Sequence, residues 1–269
     1  MAKFETFQEV ARDVIGDHRD RAMHKFRKSV RPVYGTTDKK RPDHLASCIL
    51  AEFQGEAYLI TAAHVVDHAS VTTLHIGAKE LVPVSGEFKV TEAEKAREHD
   101  KFDFAFLRLT EEQRLSFADC TLLDLSEIAE ANDYEESSVY AAIGFPNTKN
   151  RKVDNVAKTV QPTLWSFTNY AGTRDLLAPD WPQSGEGHVF LKYGKYLRDA
   201  SGQKVPAVKP VGMSGGLLAS LGNLASVEVI AGDRSPTPKA AGLLIEGSAR
   251  SGRMVATKLH IVRDAIRRS

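Results

Sequence analysis

The sequence predicts an all-β protein made of two antiparallel barrels with a helix at each end. Three observations carry this expectation. Short apolar runs recur between turn residues from about Val30 to Ala256, at the roughly 8–12-residue spacing of sandwiches and barrels. They fall into two similar sets around the polar stretch Asp124–Ser137. Helical three-to-four spacing is confined to the two termini.

Taken in order, residues 1–29 form the N-terminal helical extension. Phe4, Phe7, Val10, Ala11, Val14, Ile15, Ala22 and Phe26 make one stripe with charges between them, and Gly16 weakens the middle without ending it. Such a stripe is expected to pack on the body of its own protein. The first barrel, 30–128, takes the runs Val30–Tyr34, Leu45–Phe53, Ala57–Thr61, Val71–Ile76, Glu80–Val84, Glu87–Thr91 and Phe102–Leu109. The second, 129–254, takes Ser138–Ile143, Thr159–Phe167, His188–Tyr193, Gly216–Ser220, Val227–Ala231 and Ala241–Glu246. In 255–269 helical spacing returns (Val255, Leu259, Val262, Ile266) with a basic last turn that suits the helix dipole.

Composition narrows the function. The 269 residues carry 36 Lys+Arg against 35 Asp+Glu, a net charge of +1, which gives no global field to steer a polyanion or an anionic membrane. No nucleic-acid partner is expected. The small basic group Lys149, Arg151, Lys152 and Lys158 reads as a solvated loop, because no aromatic residues interleave with it. No apolar run reaches the ~18 residues of a membrane span. With only Cys48 and Cys120, and both charge signs throughout the N-terminus, the expectation is a soluble protein of a reducing, cytoplasmic compartment. Cys48 reads as a small buried hydrophobe. No metal-ligand spacing of His or Cys occurs, and no cofactor is expected.

Three segments hold residue types suited to nucleophilic chemistry. An apolar strand runs into Thr61-Ala-Ala-His64, an aspartate opens the alternating run Asp103-Phe-Ala-Phe-Leu, and a serine lies among glycines in Gly212-Met-Ser214-Gly-Gly216. Each alone is a common pattern. A serine hydroxyl is a poor nucleophile until a base within hydrogen-bond reach takes its proton, and imidazole titrates near working pH. His68, His75, His99 and Asp100 are nearby rivals. His68 lacks the Ala-Ala approach, and Asp100 does not lead directly into the alternating strand.

Together, in the order His, Asp, Ser, these segments resemble the trypsin/chymotrypsin family of serine peptidases. Ile143-Gly-Phe-Pro-Asn-Thr148 and Gly242-Leu-Leu-Ile-Glu-Gly247 fit that family's second barrel and substrate-binding strand. The resemblance covers about Leu45 to Ala256 and implies two six-stranded antiparallel barrels of the chymotrypsin-like kind. It implies His64 as base, Asp103 as its orienting carboxylate, Ser214 as nucleophile, and the N–H groups of Gly212 and Ser214 as oxyanion hole. The substrate would be a protein or peptide. A regulatory protein partner could act through the N-terminal helix or the polar segment Asn147–Ala157.

The sequence departs from the family in three ways. Met213 stands where digestive members have an aspartate that pairs with a freed N-terminus, which leaves open what shapes the oxyanion loop. Val65 replaces the cysteine of the histidine loop. No PDZ-like segment follows, so resemblance to the HtrA peptidases is confined to the protease body. For specificity, Val208 at the expected pocket base argues against Lys or Arg at P1. Val208, Leu244 and Ile245 would make an apolar pocket, with Lys209 and Glu246 expected to be solvated; an inward Lys209 would instead attract an acidic P1. Glu246 and Gly247 complete the expected substrate-binding strand. Two other readings compete. One is a non-catalytic or partner-activated module. The other is an α/β-hydrolase esterase using Ser214, Asp233 and His260, since Gly-x-Ser-x-Gly also fits a nucleophile elbow.

Overall fold

The computed structural model describes residues 6–36, 41–92, 97–135, 137–150, 153–154, 159–172, 186–199, 202–248 and 252–269. The chain opens with helix α1 (Phe7–Phe26), whose capping box pairs the Thr6 and Glu9 side chains with each other's backbone N–H. Strands β1 (Val30–Thr36), β2 (Pro42–Phe53) and β3 (Glu56–Ala62) follow, then the short α2 (Ala63–Val66). Next come β4 (His75–Gly77), β5 (Leu81–Pro83), β6 (Lys89–Val90), β7 (Phe104–Arg108), α3 (Glu111–Ser116) and β8 (Leu123–Asp124). The second half holds β9 (Val139–Gly144), α4 (Asn147–Asn150), β10 (Val153–Asp154), β11 (Thr159–Val160), β12 (Trp165–Tyr170), β13 (His188–Lys192), β14 (Tyr196–Arg198) and β15 (Lys204–Pro206). It ends with β16 (Leu217–Gly222), α5 (Val227–Ile230), β17 (Lys239–Ser248), β18 (Arg253–Lys258) and α6 (Leu259–Arg267).

Fourteen of these strands make two main sheets, each curled around its own core, with a helix at either end: an all-β, chymotrypsin-like two-barrel architecture; β10 with β11 and β14 with β15 form separate two-stranded ribbons. The second sheet has six strands, in the order β12-β9-β16-β17-β18-β13. A bridge between Ala171 and Leu191 joins its two edges and closes it. The first runs β5-β4-β1-β2-β3-β7-β6, with β8 added beside β2 in parallel. It therefore has eight strands where six antiparallel ones were expected. The cause lies in register: β1 begins at Val30, opposite Ile49, so β2 outruns it and leaves the edge at Ala51 and Glu52 open for Leu123 and Asp124.

Side-chain alternation sorts the core into three layers. Cys48, Leu50, Leu59 and Leu107 point into the first barrel, and Tyr140, Ala142, Leu218 and Leu244 point into the second. The opposite faces meet in a layer between the barrels: Ile49, Ala51, Tyr58, Ile60, Phe104 and Phe106 against Ala141, Ile143, Leu217, Ala219, Leu243 and Val255. Both terminal helices close this layer, with Ala22 and Phe26 of α1 and Leu259, Val262 and Ile266 of α6. The expected packing of the N-terminal stripe on the protein's own body is therefore seen, although Phe4 lies outside the described residues.

Several expected elements shift. The helix expected from Val255 starts at Leu259, because Val255 and Ala256 pair with β13 and β17 inside the closed barrel. Val255 faces the same buried layer as α6, which is why it fits the helical spacing. Val227–Ala231 is helical at α5 instead of a strand, since Ser226 caps the N–H of Val229 and outweighs the Val-Glu-Val alternation. The Thr159–Phe167 run breaks into β11 and β12 around Pro162, which cannot donate to a ladder. Val71 is solvent-facing, and only His75 and Ile76 of the Val71–Ile76 run are strand, in β4. Both cysteines are free and burial pushes their thiols up, Cys120 to about 11, so neither is a thiolate at neutral pH. Among the described residues, no helix is long and apolar enough to cross a membrane.

Phe26 is almost wholly buried where α1 meets the inter-barrel layer. Phe26→Ala should cost about 3–5 kcal/mol by lost burial and residual cavity. Urea unfolding should show a lower midpoint in one transition for both barrels; a loss below about 1 kcal/mol would count against the helix as part of this core.

Candidate active site

A cleft of about 560 Å³ lies where the two barrels meet, and His64, Asp103 and Ser214 all line it. His64 stands in α2, which follows β3 directly, and Ala62, the strand's last residue, and Ala63, the helix's first, are fully buried. Small side chains are what let the helix turn sit this close to the core. Asp103 immediately precedes β7, the neighbour of β3 in the sheet, so the two residues meet through strand pairing. Its carboxylate uses both oxygens on His64: Oδ1 accepts the backbone N–H at 3.0 Å, and Oδ2 lies 2.6 Å from ring Nδ1. The Nδ1 proton therefore belongs on the carboxylate side, and Nε2 is the unprotonated nitrogen of the neutral ring.

Asp103 has φ +43°, in the left-handed region that few non-glycine residues occupy. Asp100 holds it there. This aspartate is buried, and its Oδ1 accepts the N–H groups of Phe102 (3.1 Å) and Asp103 (3.0 Å). Its Oδ2 takes the Thr91 hydroxyl and the Arg97 guanidinium at 2.5 and 2.9 Å, which neutralises the buried charge. Arg97 also reaches Asp67, beside the histidine helix. Asp100 is thus the support of Asp103 and no substitute for it. Of the other rivals, His68 lines the cleft, His75 lies on β4 with its ring at Thr73 O, and His99 is exposed.

Burial pulls the His64 imidazolium down, but the Asp103 hydrogen bond and charge, with Asp67 adding, outweigh it and hold the group above its ordinary value. Burial likewise pushes Glu246 up on the opposite wall, against Arg253, with Asp103 adding and His64 opposing.

Ser214 sits in a turn between β15 and β16 that only glycine can make. Gly212 has φ +94°, and a Cβ there would fall 2.0 Å from Asn147 Oδ1. Gly215 has φ +82°, and a Cβ there would fall 2.0 Å from Ser47 O. The Ser214 hydroxyl donates to Ile245 O at 3.4 Å, so at rest it is turned to β17 and not bonded to His64. The N–H groups of Met213, Gly215 and Gly216 are taken by Pro210, Leu244 and Met213 carbonyls. Among the described residues, those of Gly212 and Ser214 donate to no other group.

Of the expected substrate-binding residues, Ile245, Glu246 and Gly247 line the cleft. Glu246 is half-buried there and not fully solvated. Leu244 is buried in the second barrel's core, Lys209 is exposed, and Val208 is half-buried with its carbonyl on the Tyr193 hydroxyl; none of the three lines the cleft. Asp233 is exposed and His260 packs edge-on to Tyr134 on α6, so neither reaches Ser214. The antiparallel sheets also lack the alternating βα units of an α/β-hydrolase, which removes that reading. Lys149 is exposed, whereas Arg151, Lys152 and Lys158 lie outside the described residues. Sequence reasoning missed Asp100 as a support, though Asp-x-x-Asp before a strand is an Asx-turn signal. It also missed Ser47, the one polar residue inside the apolar run Leu45–Ala51.

No family model matches the chain, and no curated protein sequence does. Among solved structures it is similar to one described as "HtrA-type protease AlgW with tripeptide", with 14% identity and a TM-score of 0.47. That match covers 93% of this chain and 62% of the other, so the chain spans less than two thirds of that structure's length.

A histidine whose folded pKa is raised contributes stability that is full below the unfolded value of about 6.5 and lost as pH rises through the folded value. The His64 ring should therefore titrate above about 6.5 by NMR. Asp103→Asn should bring its midpoint down and remove this pH-dependent stability; an unchanged midpoint would show that Asp103 does not set the imidazole's charge.

Proposed function

We propose that the protein is a serine endopeptidase in which Ser214 is the nucleophile, His64 the general base and acid, and Asp103 the orienting carboxylate. The observation that carries this reading is the His64–Asp103 pair sharing one cleft with a serine turn whose two outer N–H groups are unspent. In this reading the Ser214 side chain rotates away from Ile245 O to present its hydroxyl to His64 Nε2. The base takes the proton as Oγ attacks the peptide carbonyl, and Asp103 stabilises the imidazolium. The N–H groups of Gly212 and Ser214 receive the developing oxyanion, an interaction whose loss typically costs ~100- to 1,000-fold in rate. His64 then protonates the leaving amine, and water repeats the sequence on the acyl-enzyme.

The substrate fits as an extended peptide. The β17 edge runs on past its last pairing with β16, and Ile245, Glu246 and Gly247 face the cleft there, where a substrate strand can add to the sheet. The half-buried Glu246 carboxylate on that wall selects against an acidic side chain beside it. A second reading, a module silent until a protein partner turns the serine, is favoured by the resting contact of Ser214 with Ile245 O.

A fluorophosphonate probe should label the purified protein, and Ser214→Ala should abolish labelling. His64→Ala should reduce it by about 10³-fold or more, whereas His260→Ala should leave it intact. The labelling rate should rise with pH through a limb above about 6.5, because only neutral His64 accepts the proton. A folded wild type that stays unlabelled alone but reacts when cell extract is added selects the partner-activated module. No labelling under either condition sinks the peptidase reading.

A further inference from the structure

The serine turn lacks the buried aspartate that a family-like loop would place at Met213, so something else must fix its peptide planes. Met213 is buried in the second barrel and offers no charge. Resting on the reading of this turn as the oxyanion hole, we propose that Ser47 and the buried pair His44–Asn147, all outside the catalytic set, are positioning residues that lock it open.

The geometry follows from the trans peptide, in which the C=O of one residue and the N–H of the next point in opposite directions. The direction of the Gly212 N–H is set by whatever holds Val211 O, and that is the Asn147 N–H at 2.8 Å. The direction of the Ser214 N–H is set by Met213 O, held by Gly216 N–H at 2.8 Å. The plane between them is held at both ends: the Ser47 hydroxyl donates to Gly212 O at 2.9 Å, and Met213 N–H donates to Pro210 O at 2.9 Å. Three consecutive planes are pinned, and two of the pins come from outside the turn.

Ser47 has no exposed surface and no idle polar group. Its hydroxyl also accepts Phe145 N–H at 2.9 Å, its N–H donates to Ser214 O at 2.8 Å, and its carbonyl accepts the Thr61 hydroxyl at 2.8 Å. One residue of the first barrel thus binds the turn on both sides of Met213. Asn147 is fixed in turn by His44, whose Nδ1 lies 2.6 Å from Asn147 Oδ1, with both side chains buried. That amide oxygen presses on the Gly212 α-carbon so closely that no side chain fits there. Flipping the Val211–Gly212 plane, which would turn the Gly212 N–H out of the hole, requires breaking the Asn147 bond. Flipping the next plane would strand Gly212 O in a buried site without a donor, which costs about 1–3 kcal/mol.

The test is Ser47→Ala beside Ser47→Thr, which keeps the hydroxyl; should Ser47→Ala fail to fold, Asn147→Ala, which keeps the main-chain N–H on Val211 O but removes the Oδ1 fixed by His44, should quicken exchange in Val211–Gly216 in the same way. Ser47→Ala should lower kcat for a peptide ester by about 10- to 100-fold, less than losing an oxyanion donor outright. KM should change less than about twofold, since the turn would act in the transition state and not on ground-state binding, and Ser47→Thr should restore kcat. Amide exchange in Val211–Gly216 should quicken by about tenfold or more in Ser47→Ala without a matching change elsewhere. Unchanged kcat and exchange in a folded Ser47→Ala overturn the clamp. Equal loss of kcat, KM and global stability that threonine does not repair also overturns it, by making Ser47 only structural. Exchange needs no activity, so a wild type unreactive both alone and with cell extract would sink the peptidase reading while the exchange rates still decide the clamp.

Discussion

The apolar layer between the barrels is the constraint on which everything in the cleft depends. Strands β2, β3, β7, β9 and β16 are buried on both faces, one toward their own barrel and one toward the other. Such strands leave no solvent to satisfy polar groups, so any hydroxyl placed among them must find a protein partner. The few that occur do so across barrels or between neighbouring strands. Ser47 bonds Gly212 O, Thr61 bonds Ser47 O, and Thr257 bonds Phe102 O at 2.6 Å. The dry layer turns these isolated hydroxyls into fixed ties, because in a low-dielectric setting each broken bond would leave an unpaired buried group.

The acid side of the site shows the same economy with charge. Asp103 and Asp100 lie three residues apart and would repel if both faced the histidine. They are instead assigned separate partners: Asp103 spends both oxygens on His64, while Asp100 spends its own on backbone N–H groups, Thr91 and Arg97. Arg97 in turn ties Asp100 to Asp67 on the histidine's own segment. The left-handed backbone at Asp103 is held by these bonds, so the conformation that aims its carboxylate at the ring follows from a buried neighbour and not from the residue itself.

Much of the fold was legible because β2, β3, β9 and β16 hold short apolar runs bounded by turn residues, and because Gly212 and Gly215 mark a turn that side chains cannot enter. What escaped depended on contacts distant in sequence. Val227–Ile230 alternates like a strand, but one serine cap decides for helix. Val255 fits the stripe of α6 only because strand and helix cover one layer. The histidine, aspartate and serine segments stood out only together, through their order and their resemblance to one family. The supports were harder to see: Asp100 looks like a competitor for Asp103, and Ser47 looks like a lapse in an apolar run. Leu244 was expected as a pocket wall because the resemblance assigns its whole strand to substrate; alternation turns it into the second barrel's core, opposite to Ile245.

Each half of the candidate site is also tied to the barrel it does not belong to. The aspartate loop of the first barrel packs Phe102 against the layer between the barrels, where its ring stacks on His188 of β13 at 5.6 Å and its carbonyl takes the Thr257 hydroxyl of β18. The serine turn of the second barrel is held by Ser47 and His44 of the first, the latter through Asn147. Relative sliding of the barrels would therefore pull on the segment that carries the histidine's partner and on the serine's turn together. That reciprocity explains why Met213 can be apolar. The turn needs no internal charge when its carbonyls are gripped from across the interface, and a methionine in the second core adds packing where an unpaired carboxylate would add a desolvation cost. The geometry of the site is therefore a property of how the barrels dock, and the same burial that stabilises the fold sets the positions of its most reactive groups.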